Sequence, residues 1–339
     1  MAFRSCRSTS QWVTAVALTL VLVGLATSCR KDSGVGNVKN LKAVRVQFGW
    51  LPDSHHAGFW IAKDKGYYEA EGLSVELTPG GLDSSPLKSV VSGAADIGQA
   101  GGIEQLVSAR AEGLPVRAIA AFHRVSPQAL ISLDRSPVRA ASDLRGKRVA
   151  VAYGDAAELL FREFISRNGI PDDAMTLVPF RFDLTPLMDD KVDVVTGFST
   201  DQPATLKAKG FAPVVLRYSD VGIRSYGYTF FCAEDYVAQH PDICDRFIRA
   251  SRRGWEYAFA HKDEAIALMK KHFPTLDASV EGTKFEDVRA LMCDGDGHLS
   301  QWDMNTAMIS DAISRLRQYG GLKKDILQDS ITAKEYVER

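Results

Sequence analysis

Residues Val44 to Pro79 read VRVQFGWLPDSHHAGFWIAKDKGYYEAEGLSVELTP, and this run restricts the fold more than any other part of the chain. Val44, Val46 and Phe48 alternate with polar residues, which predicts a half-buried strand. The strand runs into the turn-rich tip Gly49-Trp50-Leu51-Pro52-Asp53. An apolar helix follows through Phe59, Trp60, Ile61 and Ala62 and stops near Gly66. Leu73, Val75 and Leu77 then alternate as a second strand. The pattern is a β-loop-α-β unit, in which ligands settle at the loop beyond the strand's C-terminal end. That loop carries a flat aromatic face in Trp50 and hydrogen-bonding groups in Asp53, His55 and His56.

The motif Trp-x-Pro-Asp-x-x-His-x-Gly is Trp50, Pro52, Asp53, His56 and Gly58 here. It is followed by Lys65-Gly66-Tyr67-Tyr68 and Gly72-Leu73. Together with Ser142-Asp143-Leu144-Arg145-Gly146-Lys147 and Gly254-Trp255-Glu256-Tyr257-Ala258, it resembles the NMT1/THI5-like solute-binding proteins of ABC importers over roughly residues 44–275. The Lys-Gly-Tyr-Tyr part is shared with sulfonate and nitrate binders. The Trp/Pro/His part points to the branch that binds thiamin-precursor pyrimidines and similar flat rings.

The rest of the chain agrees with an exported α/β protein. Arg4 and Arg7 precede an apolar run from Trp12 to Leu25, then Ala26-Thr27-Ser28 and Cys29. This is an export signal over residues 1–29, and it resembles a lipoprotein signal in which Cys29 is lipidated. Ala26 stands where that pattern prefers Leu, so ordinary signal cleavage is the alternative. Residues 30–41 read as a tether. A net charge of −1 gives no polybasic signal for nucleic acid. Cys232, Cys244 and Cys293 allow at most one bridge and show no zinc spacing, so buried free thiols are the expectation. The loop Cys293 to His298 contains DGDG without the downstream Glu a calcium loop needs, and no metal or cofactor is expected.

Strands and helices alternate through most of the sequence, which predicts an α/β class with mostly parallel sheets. The resemblance implies a type II periplasmic-binding-protein fold: one lobe from 42–127 plus 229–339, the other from 128–228, joined by a two-crossing hinge. The segment Pro241 to Lys271 reads as helical almost throughout. In that topology the strand tips of both lobes face one cleft, and they carry the candidate ligand-binding residues Trp50, Asp53, His56, Gln99, His123, Gly154, Asp155, Asp201, Gln202 and Tyr226. Trp50 is the candidate stacking platform. Gly154 and Asp155 open a helix whose free N–H groups would suit an anion or carbonyl, but no GxxxxGK[ST] is present, so nucleotide hydrolysis is rejected. Asp201-Gln202 replaces the Asn-Glu of the resembled family at a strand tip. His55 is expected to face solvent, and Lys65 to be a surface charge.

These features predict a non-catalytic receptor that hands a small flat heterocycle, an aminopyrimidine first, to a permease in the inner membrane. Riboflavin-type ligands, nucleobase-like rings, sulfonates and nitrate are the alternatives. Asp53, Asp155 and Asp201 at the tips argue against a small anion. A second class is a pyrimidine synthase using pyridoxal phosphate, with His56 and Lys65 at the implied positions; it lacks that enzyme's cysteine cluster. A sensor on the same fold is the third.

Overall fold

In the computed structural model, which describes residues 41–154, 156–320, 322 and 324–337, the alternating segments pair into two five-stranded sheets. The export signal, Cys29, nearly all of the tether, and Asp155 lie outside the described residues. The first sheet is built from β1 (Lys42–Gln47), β2 (Leu73–Thr78), β3 (Ile97–Ala100), β4 (Val116–Ala121) and β10 (Thr229–Ala233). The second uses β5 (Gln128–Leu133), β6 (Arg148–Val151), β7 (Thr176–Pro179), β8 (Val194–Phe198) and β9 (Pro213–Arg217). Their orders are β2-β1-β3-β10-β4 and β7-β6-β8-β5-β9.

Each sheet has one reversed strand. β10 is antiparallel to β3 and β4, and β5 is antiparallel to β8 and β9; the other pairings are parallel. The reversed strand is the one that follows a crossing between lobes. The chain leaves a lobe where its parallel strands end, at the cleft, so the next strand must start at the cleft and run away from it. The C-terminal ends of the parallel strands and the first residues of β5 and β10 therefore meet in one place.

In the second sheet, the core cluster a strand residue joins follows the strand period of two. In β5, Ala129, Ile131 and Leu133 join one core cluster and Leu130 the other; in β6, Ala150 and Val149/Val151 divide the same way. A sheet covered on both faces needs apolar residues at successive positions, hence the continuous apolar runs in the sequence. The first lobe has one larger core, in which Phe48, Phe59 and Trp60 of the opening unit meet Phe230, Phe247 and Trp255.

The helical run after residue 241 divides into Pro241–Ala260 and Lys262–His272. His261 turns its Nδ1 to the Tyr257 carbonyl at 3.0 Å and stacks on the Tyr257 ring at 4.0 Å. A side chain bonded to its own helix's carbonyl competes with the next helical turn. The helix Thr306–Tyr319 packs on Ile103–Ala111 of the first lobe and on Ala156–Arg167 of the second, so it straddles both.

Candidate functional site

Where the strand ends converge, the lobes enclose a cavity of about 330 Å³. Trp50, beyond β1, meets Phe182 of the second lobe with ring centroids 4.9 Å apart. Both line the cavity. Gln99 of β3 lines it too: its Oε1 accepts the Gly49 N–H at 3.0 Å, while its buried Nε2 has no partner. Gln128, at the start of reversed β5, presents a buried Oε1 without a partner, and Tyr228, just before reversed β10, forms part of the wall.

A short helical turn, Ser54–His56, fixes the polar floor, with Asp53 as its cap. One Asp53 oxygen accepts from the His55 backbone N–H at 3.0 Å and meets His56 Nδ1 at 3.0 Å; the other meets His55 Nδ1 at 3.0 Å. Burial pushes this carboxyl up, but the two imidazoles outweigh it and hold the group well below its ordinary range. His55 Nε2 continues to Thr200 Oγ1 of the second lobe at 2.8 Å. The expectation of a solvent-facing His55 is therefore overturned: it is 1% exposed and lines the cavity. The turn directs His56 the other way, edge-on to Phe48 at 4.7 Å and outside the cavity wall.

The second lobe's contribution is more inward-bonded than its residue types suggest. Gln202 Oε1 accepts the Phe198 N–H at 2.6 Å, and its Nε2 donates to Asp201 at 3.0 Å, so both ends of the carboxamide have partners in the chain. The approach needs Gly197, where a Cβ would lie 2.6 Å from Gln202 Oε1. Asp201 also pairs with Lys284 Nζ at 2.5 Å. Burial alone would lower Lys284, but Asp201, Asp53 and Glu281 hold it above its ordinary value. Gly154 lines the cavity at φ 79°, yet its N–H donates to Glu158 at 2.9 Å, so the open amide expected there is occupied.

Of the sequence candidates, Trp50, Asp53, Gln99, Gly154, Asp201 and Gln202 line the cavity; His56, His123 and Tyr226 do not. His123 is fully buried among rings, 4.9 Å from Tyr228 and 4.7 Å from Phe122. Burial pushes its pKa well down. Tyr226 accepts the Asn305 N–H at 2.6 Å inside the hinge region. The cavity wall also takes in Gln128, Tyr228, Phe182 and Glu104, none of them a candidate from the sequence, and His55, which the sequence places toward solvent. Gln128 and Tyr228 carry a usable signal, since Gln128 opens, and Tyr228 immediately precedes, a strand that returns from the other lobe. The cavity wall carries the carboxylates Asp53, Glu104 and Asp201, and among the described residues no Lys or Arg lines it.

Two mixed sheets with a ligand-sized cavity at their facing strand ends define the periplasmic-binding-protein fold. The periplasmic aliphatic sulphonate binding protein SsuA of Escherichia coli superposes with a TM-score of 0.67 over 87% of this chain and 97% of its own, at 14% identity. The model of the family described as NMT1/THI5 like matches residues 53–265, and the chain belongs to that family. Among its relatives, the riboflavin-binding protein RibY of Chloroflexus aurantiacus is 28% identical over 69% of this chain and 67% of its own. The formylaminopyrimidine-binding protein of Halalkalibacterium halodurans is 23% identical over 75% and 77%. A 4-amino-5-hydroxymethyl-2-methylpyrimidine phosphate synthase of Legionella pneumophila is 26% identical over 69% and 74%.

Proposed function

We propose that the protein is the extracytoplasmic solute-binding component of an ABC importer, and that it closes its two lobes over a small flat heterocycle. The observation that carries this reading is the cavity wall. It joins an aromatic pair, Trp50 and Phe182, to the unpartnered buried atoms Gln99 Nε2 and Gln128 Oε1, and it has acidic but no Lys or Arg side chains among the described residues. Such a wall suits a neutral or cationic ring with both donors and acceptors; a sulfonate or nitrate would meet carboxylates whose cations, Lys284 for Asp201 and Arg315 for Glu104, are already engaged and lie outside the wall. The volume lies near the lower end for ligand pockets, which favours a one-ring solute over a larger one. An aminopyrimidine is therefore the first candidate and a riboflavin-type ring the second, in line with the relatives that bind formylaminopyrimidine and riboflavin.

The synthase reading draws less support. Lys65, which it would use to bind a cofactor aldehyde, pairs with Glu264 at 2.7 Å and lies outside the cavity wall, as does His56. Among the described residues no helix is long and apolar enough to cross a membrane. Attachment through a lipidated Cys29 and delivery to an inner-membrane permease complete the proposal. Native mass spectrometry of protein purified without refolding tests it. The expected result is a one-to-one adduct of an aromatic heterocycle, released by denaturation; a carried-over alkanesulfonate or inorganic anion would contradict it.

A further inference from the structure

Glu104 opens the helix Ile103–Ala111, is 1% exposed, and lines the cavity. Its two oxygens differ. Oε1 accepts from Ser225 Oγ at 2.6 Å and from Arg315 Nη1 at 2.5 Å, whereas Oε2 is buried and has no partner. A carboxylate oxygen out of water and without a donor is costly. Arg315 is not free to serve it. Its Nε is bonded to Glu163 of the second lobe, and its Nη2 donates to the Arg224 carbonyl at 3.1 Å. One guanidinium thus fixes a carboxylate from each lobe and the backbone of the returning crossover, and it orients Glu104 so that one oxygen is saturated.

We propose that Glu104 is the specificity-determining residue of the cavity: its Oε2 accepts a hydrogen bond from an N–H of the bound ring, and Arg315 is the positioning residue that presents it. The ligand class this selects is a heterocycle with an amino substituent or a ring N–H. The inference rests on the heterocycle reading above. A site built to accept from an N–H rejects the analogue lacking it far more strongly than an apolar pocket rejects a change of size, because the buried acceptor is left unpaired.

Two ligand pairs test it in the full chain by isothermal titration: 4-amino-5-hydroxymethyl-2-methylpyrimidine with its des-amino counterpart, and riboflavin with 3-methylriboflavin. The wild type is expected to prefer the donor-bearing member of the pair it binds by at least tenfold. In Glu104→Gln the amide must turn its oxygen to Arg315 and its NH₂ to the cavity, so the preference should collapse to less than threefold. Because the preference is a ratio within one preparation, it does not depend on the folded fraction. If Glu104→Gln does not fold, Glu104→Asp keeps the charge but withdraws the oxygen by one methylene, and the preference should narrow. An undiminished preference in either variant, or a wild type that binds both members of a pair equally, overturns the role of Glu104 while leaving the heterocycle reading intact. A wild type that binds neither pair overturns both.

Discussion

His123 sits beneath the cavity with neither ring nitrogen hydrogen-bonded, surrounded by Phe122, Tyr228 and His55. Burial keeps the folded imidazole neutral well below its ordinary value, while unfolding returns it to about 6.5. The unfolded chain then binds a proton that the folded chain refuses, so this residue removes stability as pH falls below about 6.5, by up to about 1.4 kcal/mol per pH unit. His123→Phe should flatten that acid-side slope and leave stability at pH 8 unchanged or higher, as read by urea unfolding at several pH values. An unaltered slope would mean that His123 is not the group responsible. Side-chain placement is less legible in the sequence than the course of the chain. The position of Trp50, Asp53 and Gln99 at the cavity wall was legible because a strand tip fixes where its residues go. That His55 rather than His56 lines the cavity was not legible, because the helical turn Ser54–His56 reads as loop, and a loop gives no phase from which to tell which side chain turns inward. For Gln202 the residue type was legible but not its bonds, since Phe198 N–H and Asp201 claim the carboxamide from within the chain.

The helices that carry the opening unit depend on a close crossing. Gly254 of Pro241–Ala260 lies against Ala57–Asp64, and a Cβ there would come within 2.0 Å of the Gly58 carbonyl oxygen. Backbone cannot yield as a flexible side chain can, so Gly254→Ala should separate the helices and cost about 3 kcal/mol, the overpacking range. Thermal and urea denaturation would measure this, and a variant as stable as the wild type would show that the crossing is looser than described. At this scale the strands were legible from their apolar runs and glycine-bounded ends, and the opening β-loop-α-β unit was read almost in full. The division of the long helical run at His261 was not, because it comes from an imidazole folding back on Tyr257 rather than from a Gly or Pro. The reversed direction of β5 and β10 is not legible for a different reason: strand direction is a property of the route the chain takes, and no local pattern records it.

Across the whole molecule, the two lobes meet through contacts that ring the cavity: Trp50 on Phe182, His55 on Thr200, and Arg315 between Glu104 and Glu163. Each joins groups distant in sequence, and the helix that carries Arg315 spans both lobes. Neither spacing nor periodicity announces such contacts; the two-lobe plan was legible only through the motif resemblance around Trp50 and Lys65-Gly66-Tyr67-Tyr68. If the lobes shut, as proposed, on a planar ring held against Trp50, stacking there is worth about 1–3 kcal/mol. The most direct measurement is isothermal titration of wild type and Trp50→Ala with 4-amino-5-hydroxymethyl-2-methylpyrimidine, riboflavin and an alkanesulfonate. The expected result is saturable one-to-one binding of a ring compound, at least tenfold weaker in Trp50→Ala, and no heat from the sulfonate. Sulfonate binding without ring binding, or equal affinity for the ring in both proteins, would contradict it.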